Sequence, residues 1–291
     1  LPLRALFEAP TVARLAQHLR SAPANVVPPL TRAARPEPLP LSFAQQRLWF
    51  LDRWQPDSPL YNISGPVRLR GPLNRAALRD SLQEIVRRHE ALRTCLPAED
   101  GSPRQQITET VIDLPVIALD ELPEAQRLRE MQRQVQTDVD QPFDLATGPL
   151  FRCRLLRLAE QEHALLLTWH HSIFDGWSWE VFWRELSELY AALAQGRPSP
   201  LRELPIQYAD YTLWQRHWLR DEALERQLAF WQARLAGLSP LDLPTDRPRP
   251  AIQSIRGSRV PVRLSAELTA RLAALGRCEG ATLFMVVLAG W

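Results

Sequence analysis

The sequence has few cysteines, no long apolar run and almost no net charge. Its three cysteines, Cys95, Cys153 and Cys278, are widely separated, which argues against a disulfide framework or a metal ribbon and favours a reducing cytoplasm. No segment approaches the roughly 20 apolar residues that a membrane span needs. Lys and Arg number 35 against 33 Asp and Glu, and the charges are interspersed, so no nucleic-acid surface is expected.

What is present is the composition of a globular protein, with 45% hydrophobic and 23% charged residues. The length of 291 residues suggests two domains, or two lobes of one domain. The opening LPLR is neither a signal peptide nor an initiation site, and no glycine cap or breaker is expected for the apolar helix after Thr282. We therefore expect the chain to begin inside a longer protein and to end inside an apolar helix.

Proline marks the first boundary in the chain. Residues 3–19 fit a turn at Pro10 followed by a short amphipathic helix. Residues 21–40 are predicted to be an extended linker, because they contain prolines 23, 28, 29, 36, 38 and 40. Beyond the linker, Asn74 is a candidate N-cap for a helix whose apolar stripe continues to His89 and Leu92. A second helix is expected over residues 124–140, with these side chains facing inward: Leu128, Met131, Val135 and Val139.

The clearest strand patterns lead into two consecutive histidines. Residues 151–158 alternate apolar and basic side chains, and residues 164–169 are almost continuously apolar, which is typical of a central strand. The second strand runs directly into His170 and His171, and a helix with apolar residues from 182 to 193 follows. This order predicts that the chemistry lies at a strand-to-helix loop.

The last part of the sequence predicts the start of a second lobe. Helical patterns return over residues 207–235, whereas LDLPTDRPRP at residues 241–250 is too rich in proline to be helical. A strand is expected at residues 260–264, and Ser265 is a candidate cap for a helix through Leu268 and Leu272.

Residue chemistry alone favours an active site at the histidine loop. Consecutive residues of a strand point to opposite faces, so one of His170 and His171 should face the core. Metal binding is disfavoured, because Asp175, His89 and His217 supply no familiar ligand spacing. For an arbitrary pair of histidines, packing in the core or on the surface is the commoner explanation. Here, however, the apolar strand ends in a base, a carboxylate and the free amides of a helix start.

Four sequence motifs extend this prediction, because they resemble the motifs of a known protein family. HHSIFDGWS at 170–178 resembles the HHxxxDG signature of condensation domains of non-ribosomal peptide synthetases, in the form usual for peptide elongation. Three further segments resemble family motifs in the family's order: SFAQQRLWFLD at 42–52, RHEALRT at 88–94 and QYADYTLWQ at 207–215. Residues 230–250 resemble the segment that crosses between the family's two lobes. Cys95-Leu96 stands where an aromatic residue often follows RT, and Ser172 and Phe174 occupy variable positions of the loop.

The resemblance covers residues 41–291 and implies a domain order. It predicts the C-terminal helix of a peptidyl carrier domain at 1–20, a linker at 21–40, an N-terminal lobe with its crossing segment at 41–250, and a truncated C-terminal lobe at 251–291. The implied fold is α/β (α+β), a two-lobed sandwich like chloramphenicol acetyltransferase with a complete N-terminal lobe. The two lobes would form a tunnel between them.

The implied reaction is peptide-bond formation between a carrier-bound acyl or peptidyl thioester and a carrier-bound aminoacyl amine. No cofactor or metal would bind directly, because phosphopantetheine arms on an upstream donor and a downstream acceptor carrier domain deliver the substrates. The carrier serine that bears the donor's arm would lie upstream of Leu1. An adjacent adenylation domain and a cytoplasmic location are also implied, whereas nucleic acid and membrane are not expected as partners.

The resemblance also implies roles for individual residues. His171 would orient the attacking amine and accept or relay its proton. Gly176 would stabilise an oxyanion through its amide, or would be a plain turn glycine. Asp175 would form a structural ion pair with Arg88 or Arg93, or act as a second acid-base group. Packing or structural roles are expected for the remaining motif residues: Gln45, Arg47, Trp49, His170, Trp177, Ser178, Trp179, Trp183, Tyr208 and Trp214.

Three alternatives stay open on the sequence. An epimerisation domain shares the fold and the histidine signature, but the opening RLWFL downstream of a carrier favours condensation. A heterocyclisation domain is disfavoured, because it would replace the histidines with aspartates. A non-catalytic module that docks carriers is a different class of function, and a truncated fragment would be inactive whatever its parent does. The motifs hint at an L-configured donor, but they do not identify the donor or the acceptor.

Overall fold

A computed structural model describes residues 9, 11–21, 27–251, 257 and 260–290. The chain divides after Leu238 into two compact units, which are described separately here. Leu3, Leu6, Phe7 and Pro10 of the predicted N-terminal turn and helix lie outside the described residues, as does Trp291.

The first unit contains both helices and strands, whereas the second unit contains two helices within its described residues. The helices are α1 Val12–Ser21, α2 Phe43–Trp54, α3 Arg75–Arg88, α4 Glu124–Asp140, α5 Ser178–Leu193, α6 Tyr208–Trp218, α7 Asp221–Leu235, α8 Ala266–Cys278 and α9 Leu283–Ala289, with short 3₁₀ turns at Pro59–Tyr61 and Glu90–Arg93. The strands are β1 Leu39–Pro40, β2 Asn62–Arg70, β3 Thr94–Cys95, β4 Ala98–Glu99, β5 Ser102–Ile107, β6 Val116–Ala118, β7 Phe151–Ala159 and β8 Glu162–His170.

The main sheet of the first unit is built around β8. Its strand order is β2-β8-β7-β6, in which β8 is antiparallel to both neighbours and β6 is parallel to β7. The apolar run of β8 is buried on both faces, which confirms the prediction of a central strand. A smaller sheet orders β1-β5-β3, with β4 also paired to β5.

Helices cover both faces of the main sheet. Alternate side chains of β7 and β8, such as Phe151 and Trp169, join the larger core together with apolar residues of α3 and α5. The side chains on the other face of these strands, including Leu156 and Leu166, pack with Met131 of α4. Since full burial of one leucine contributes about 1.5–3 kcal/mol, this layered core fixes the position of the end of β8.

Several helix predictions are confirmed at their caps. Asn74 accepts a hydrogen bond from the amide of Ala77 at 3.1 Å and begins α3, although that helix ends at Arg88, before His89 and Leu92. The predicted helix 124–140 is confirmed as α4. Leu128 was predicted to face inward, but it is 55% exposed, because the cluster on this face of the sheet reaches Met131 and Val135 and not the earlier turn.

The helical region 207–235 is divided between α6 and α7, and residues 241–250 form neither helix nor strand, as predicted. The predicted strand at 260–264 is wrong, since these residues are irregular. A strand needs a neighbour for its backbone groups, and none pairs with them among the described residues.

In the second unit, Ser265 caps α8 and Thr282 caps α9 through side-chain oxygens that accept from Leu268 and Met285, as predicted. The prediction of no glycine cap after α9 is wrong, because Gly290 is its C-cap residue. In the part of the chain that was searched, no single helix is long and apolar enough to cross a membrane. By length and composition alone, α8 and α9 pass that test together as a pair bent by 103°.

β8 ends with one histidine turned inward. The amide of His170 donates to the carbonyl oxygen of Leu150, and the amide of His171 donates to that of Tyr61. His170 is buried, and its Nδ1 lies 2.8 Å from the Ser172 hydroxyl oxygen and accepts the Ser172 amide at 3.2 Å. Burial, with a smaller contribution from His171, lowers the pKa of His170 to about 4, so the ring is neutral at pH 7.

A reciprocal pair of hydrogen bonds closes the loop after β8. Asp175 accepts from the Ser178 amide at 2.9 Å and from the Ser178 hydroxyl at 2.7 Å, and the Asp175 amide donates back to that hydroxyl oxygen at 3.2 Å. Partial burial acts to raise the pKa of Asp175, but these hydrogen bonds outweigh it and hold the pKa below its usual value. The loop therefore leads into α5 with a fixed backbone.

Because His170 is buried, the free energy of unfolding depends on pH in the acidic range. Its pKa is about 4 when folded and 6.5 when unfolded, so the unfolded chain binds more protons between these pH values. Stability from this group is complete above pH 6.5 and falls as the pH drops, by about 2–3 kcal/mol at pH 4.5. Denaturant unfolding at pH 7.5 and 4.5 should show this loss in the wild type and in a control at exposed His217, His217→Gln. The loss should be much reduced in His170→Gln, and an equal loss in all three proteins would contradict the assignment.

The Asp175–Ser178 pair is expected to contribute about 1 kcal/mol, the usual net value of an intramolecular hydrogen bond. Asp175→Ala and Ser178→Ala should each lower the free energy of unfolding by about that amount, and the double variant should lose much less than the sum. Glu188→Ala, at an exposed position of the same helix, is the matched control and should change stability little. Additive losses in the double variant would show that the two side chains act independently.

Candidate active site

A cavity of about 700 Å³ lies in the first unit, in front of the histidine loop. Its walls come from α2, the 3₁₀ turn that ends at Tyr61, the end of α3, the histidine loop, the start of α5 and residues 204–211. All four motifs of the sequence contribute to it. The size falls within the usual range for a small-molecule site.

His171 is exposed and lines this cavity. Its amide is fixed by the Tyr61 carbonyl oxygen at 2.8 Å, whereas its ring accepts or donates no hydrogen bond within the described residues. A neutral imidazole offers one donor and one acceptor nitrogen. Both ring nitrogens are therefore available to a molecule in the cavity.

The other residues of the loop divide between the cavity and its support. Asp175, Trp177 and Ser178 line the cavity together with His171, whereas His170 lies behind it in the core. Gly176 is exposed and is not part of the cavity wall, and a Cβ added there would meet no atom within 4 Å. Trp179 and Trp183 pack against the core as predicted. Trp177 is 82% exposed, so packing in the core is wrong for this residue, and packing between lobes stays a prediction.

The predicted ion pair of Asp175 with Arg88 or Arg93 is wrong. Arg88 is buried and donates to both carboxylate oxygens of Glu185 at 3.3 Å, and Arg93 donates to the Thr108 carbonyl oxygen at 3.3 Å. Within the described residues, no ion pair joins Asp175 to an arginine. An exposed carboxylate that already accepts hydrogen bonds from Ser178 does not need a buried cation.

Glu185 is the partner that sequence reasoning missed. His89 Nε2, at the cavity wall, lies 2.8 Å from Glu185 Oε2. Burial raises the pKa of Glu185, but hydrogen bonds from His89 and Arg88 outweigh it and lower the pKa to about 2. A signal was present in the sequence, since Glu185 interrupts the apolar stripe of α5 between Phe182 and Leu186.

Side chains of the opening motif hold the loop in place. Gln45 is buried, forms a capping box with Ser42, and donates to the Ser172 carbonyl oxygen at 3.4 Å. The Ser42 hydroxyl lies 2.9 Å from the Tyr208 hydroxyl, and burial raises the pKa of Tyr208. This chain of contacts joins the opening motif, the histidine loop and QYADYTLWQ around one cavity.

Arg47 also lines the cavity, and Trp49 packs on the core. Trp214 lies apart from the cavity and donates its indole N–H to the carbonyl oxygen of Pro28. The three cysteines are free, with Cys95 and Cys153 buried. Among the described residues, no group of three or more His, Cys, Asp or Glu side chains is placed to hold a metal ion.

Comparison with known proteins agrees with this geometry. The family model described as Condensation domain matches residues 36–291. One of the linear gramicidin synthase proteins of Brevibacillus parabrevis is 48% identical over 100% of this chain, which spans 6% of that protein. Phosphinothricin tripeptide synthetase PhsC of Streptomyces viridochromogenes is 43% identical over 98% of the chain and 26% of its own length.

Two solved structures share the fold. The X-domain from teicoplanin biosynthesis is 35% identical with a TM-score of 0.74, over 87% of this chain and 56% of that one. The starter condensation domain of rhizomide synthetase RzmA is 25% identical with a TM-score of 0.62, over 68% and 48% of the two chains. These likenesses confirm the predicted α/β fold class. The chain belongs to the condensation-domain family of non-ribosomal peptide synthetases.

Proposed function

We propose that this chain is the acyl-transfer part of a peptide synthetase, in which His171 serves peptide-bond formation between two carrier-bound substrates. The observation that carries this proposal is the exposed His171 ring, unpaired within the described residues, in a cavity walled by all four motifs. Its neighbour His170 is buried and neutral and has a structural role. The two histidines are therefore proposed to have different roles, one catalytic and one structural.

In the proposed reaction, the amine of an acceptor aminoacyl thioester attacks the carbonyl carbon of the donor thioester. A C–N bond forms, the C–S bond breaks, and the donor leaves its pantetheine sulfur as a thiol. His171 accepts the proton that the amine loses and passes it to the departing sulfur. An α-amine has a pKa of about 7.7–8.0, so much of it is already neutral near pH 7.5 and the base contributes about 10²-fold.

Gly176 is proposed as the second catalytic group, through its backbone amide. The amide would donate to the oxygen of the tetrahedral intermediate, where one such donor is worth roughly 10²–10³-fold. The space beside its Cα supports close approach of a substrate, because a Cβ added at this position would have no atom within 4 Å. Asp175 and Ser178 contribute indirectly, by fixing the backbone on either side of Gly176.

The wider assignments follow from the family and remain proposals. The chain spans 6% of the first of these relatives, so substrates and partners belong to a larger protein. We assign residues 1–20 to an upstream carrier, 21–40 to a linker, 41–250 to the N-terminal lobe and 251–291 to the start of the C-terminal lobe. Phosphopantetheine arms of an upstream donor and a downstream acceptor carrier deliver the substrates, next to an adenylation domain and in the cytoplasm.

A binding role is the competing function of a different class. One solved X-domain is described in complex with OxyB, so this fold also occurs in a protein that forms a complex with another protein. A purely docking domain does not require a free imidazole at the cavity. The exposure of His171 therefore favours the catalytic role in this chain.

His171→Ala in the intact synthetase should reduce dipeptide formation by at least about 10²-fold, because the proton acceptor is lost. The measurement uses two loaded carrier domains and quantifies the amide product, with circular dichroism to check folding. His217→Ala, an exposed histidine outside the cavity, is the control and should retain activity. Unchanged turnover in His171→Ala would refute the role. Racemised donor in place of amide would instead identify an epimerisation domain.

A further inference from the structure

Residues 27–36, here called the strap, lie on the first unit without helix or strand of their own. At one end, the indole N–H of Trp214 in α6 donates to the Pro28 carbonyl oxygen at 2.6 Å. Trp214 belongs to the QYADYTLWQ motif but not to the cavity of His171. A motif residue that the reaction does not use therefore holds the segment that precedes β1.

The other end of the strap is held by two carboxylates. Asp210 is only 1% exposed, and its Oδ1 accepts the Ala33 amide at 3.2 Å while its Oδ2 accepts the Gln207 amide at 2.8 Å. Arg35 forms an ion pair with Glu90 at 2.7 Å and lies 3.7 Å from Asp210. Glu90 belongs to RHEALRT, so two motifs hold this end.

The proline content of the strap favours its docked position. Prolines 28, 29 and 36 restrict its backbone, so that less conformational entropy is lost when it docks. Between its two fixed ends lies a cavity of about 630 Å³ against α6. The docking therefore depends on a few defined polar contacts and not on a continuous apolar seam, and single substitutions should release it.

We propose that the strap is a fixed anchor that shortens the tether of the upstream carrier domain, and that Trp214, Asp210 and Glu90 form its docking surface. The inference rests on the proposed function, because it requires a carrier before residue 21. With the strap docked, the sequence between Ser21 and Val27 limits the tether to roughly six residues, which can span at most about 22 Å. With the strap released, roughly 20 residues up to Leu41 would span up to about 70 Å.

A shorter tether raises the effective concentration of the carrier at the domain. Effective concentration falls roughly as the −3/2 power of the length of a flexible linker once the linker exceeds the required span. An increase in tether length from roughly six to roughly 20 residues therefore corresponds to about a sixfold decrease in effective concentration. The strap makes delivery of the donor more efficient without contacting the substrate.

The test uses the intact synthetase and the double variant Arg35→Gln/Trp214→Phe. These changes remove the ion pairs and the indole donor but keep a polar side chain at position 35 and an aromatic one at position 214. Arg32→Gln is the matched control, because Arg32 is an exposed strap residue with no hydrogen bond or ion pair to the rest of the described chain. Hydrogen exchange of residues 27–36 should be about tenfold faster in the double variant and unchanged in the control. Equal exchange in all three proteins would overturn the docking.

Amide formation is then measured with the donor on the tethered carrier and with the same loaded carrier supplied as a separate protein. The double variant should be about sixfold slower with the tethered carrier and unchanged with the separate one. No loss with the tethered carrier, or equal losses in both formats, would overturn the tether role. If the wild type forms no amide in either format, the proposed function fails, and the exchange result still decides whether the strap is docked.

Discussion

The site depends on the pairing of β8 with β2 and β7. Because β8 is hydrogen-bonded on both sides, its pleat is fixed up to its last residue, and consecutive side chains there must point to opposite faces. The His170 side chain lies in the core, where burial lowers its pKa, while the His171 side chain lies at the cavity. A shift of one residue in the register would exchange these two environments.

Several motif residues hold that arrangement in place through contacts with one another. Gln45 ties α2 to the carbonyl oxygen of Ser172, and Asp175 and Ser178 close the loop that precedes α5. Arg88 and His89 share the buried carboxylate of Glu185, which joins α3 to α5 behind the cavity. A buried polar group that lacks one partner is costly, so each of these contacts constrains the next.

Local patterns in the sequence predicted the elements, but they did not predict which side chains meet. The continuous apolar run of β8 and the caps at Asn74, Ser265 and Thr282 were predicted correctly, because each depends on neighbours within a few residues. The cavity lies at the strand-to-helix loop that the motif indicated, and the catalytic role of His171 stays a prediction.

The errors concern contacts between distant segments. Asp175 was predicted to pair with Arg88 or Arg93, yet Arg88 pairs with Glu185, 97 residues away in the chain, and no local pattern contains that choice. The exposure of Trp177 and Leu128 depends on where the neighbouring layers end, and the docking of residues 27–36 depends on Asp210 and Trp214 far along the chain.

The central claim is that one histidine of the pair is open to the cavity and the other is sealed. Acylation of histidine rings with diethylpyrocarbonate, followed by mass spectrometry of the peptide that contains both, measures this directly. His171 should react readily and should be protected by a pantetheine-linked substrate analogue, while His170 should stay unmodified until the protein unfolds. Equal reaction of the two rings, or faster reaction of His170, would contradict the account.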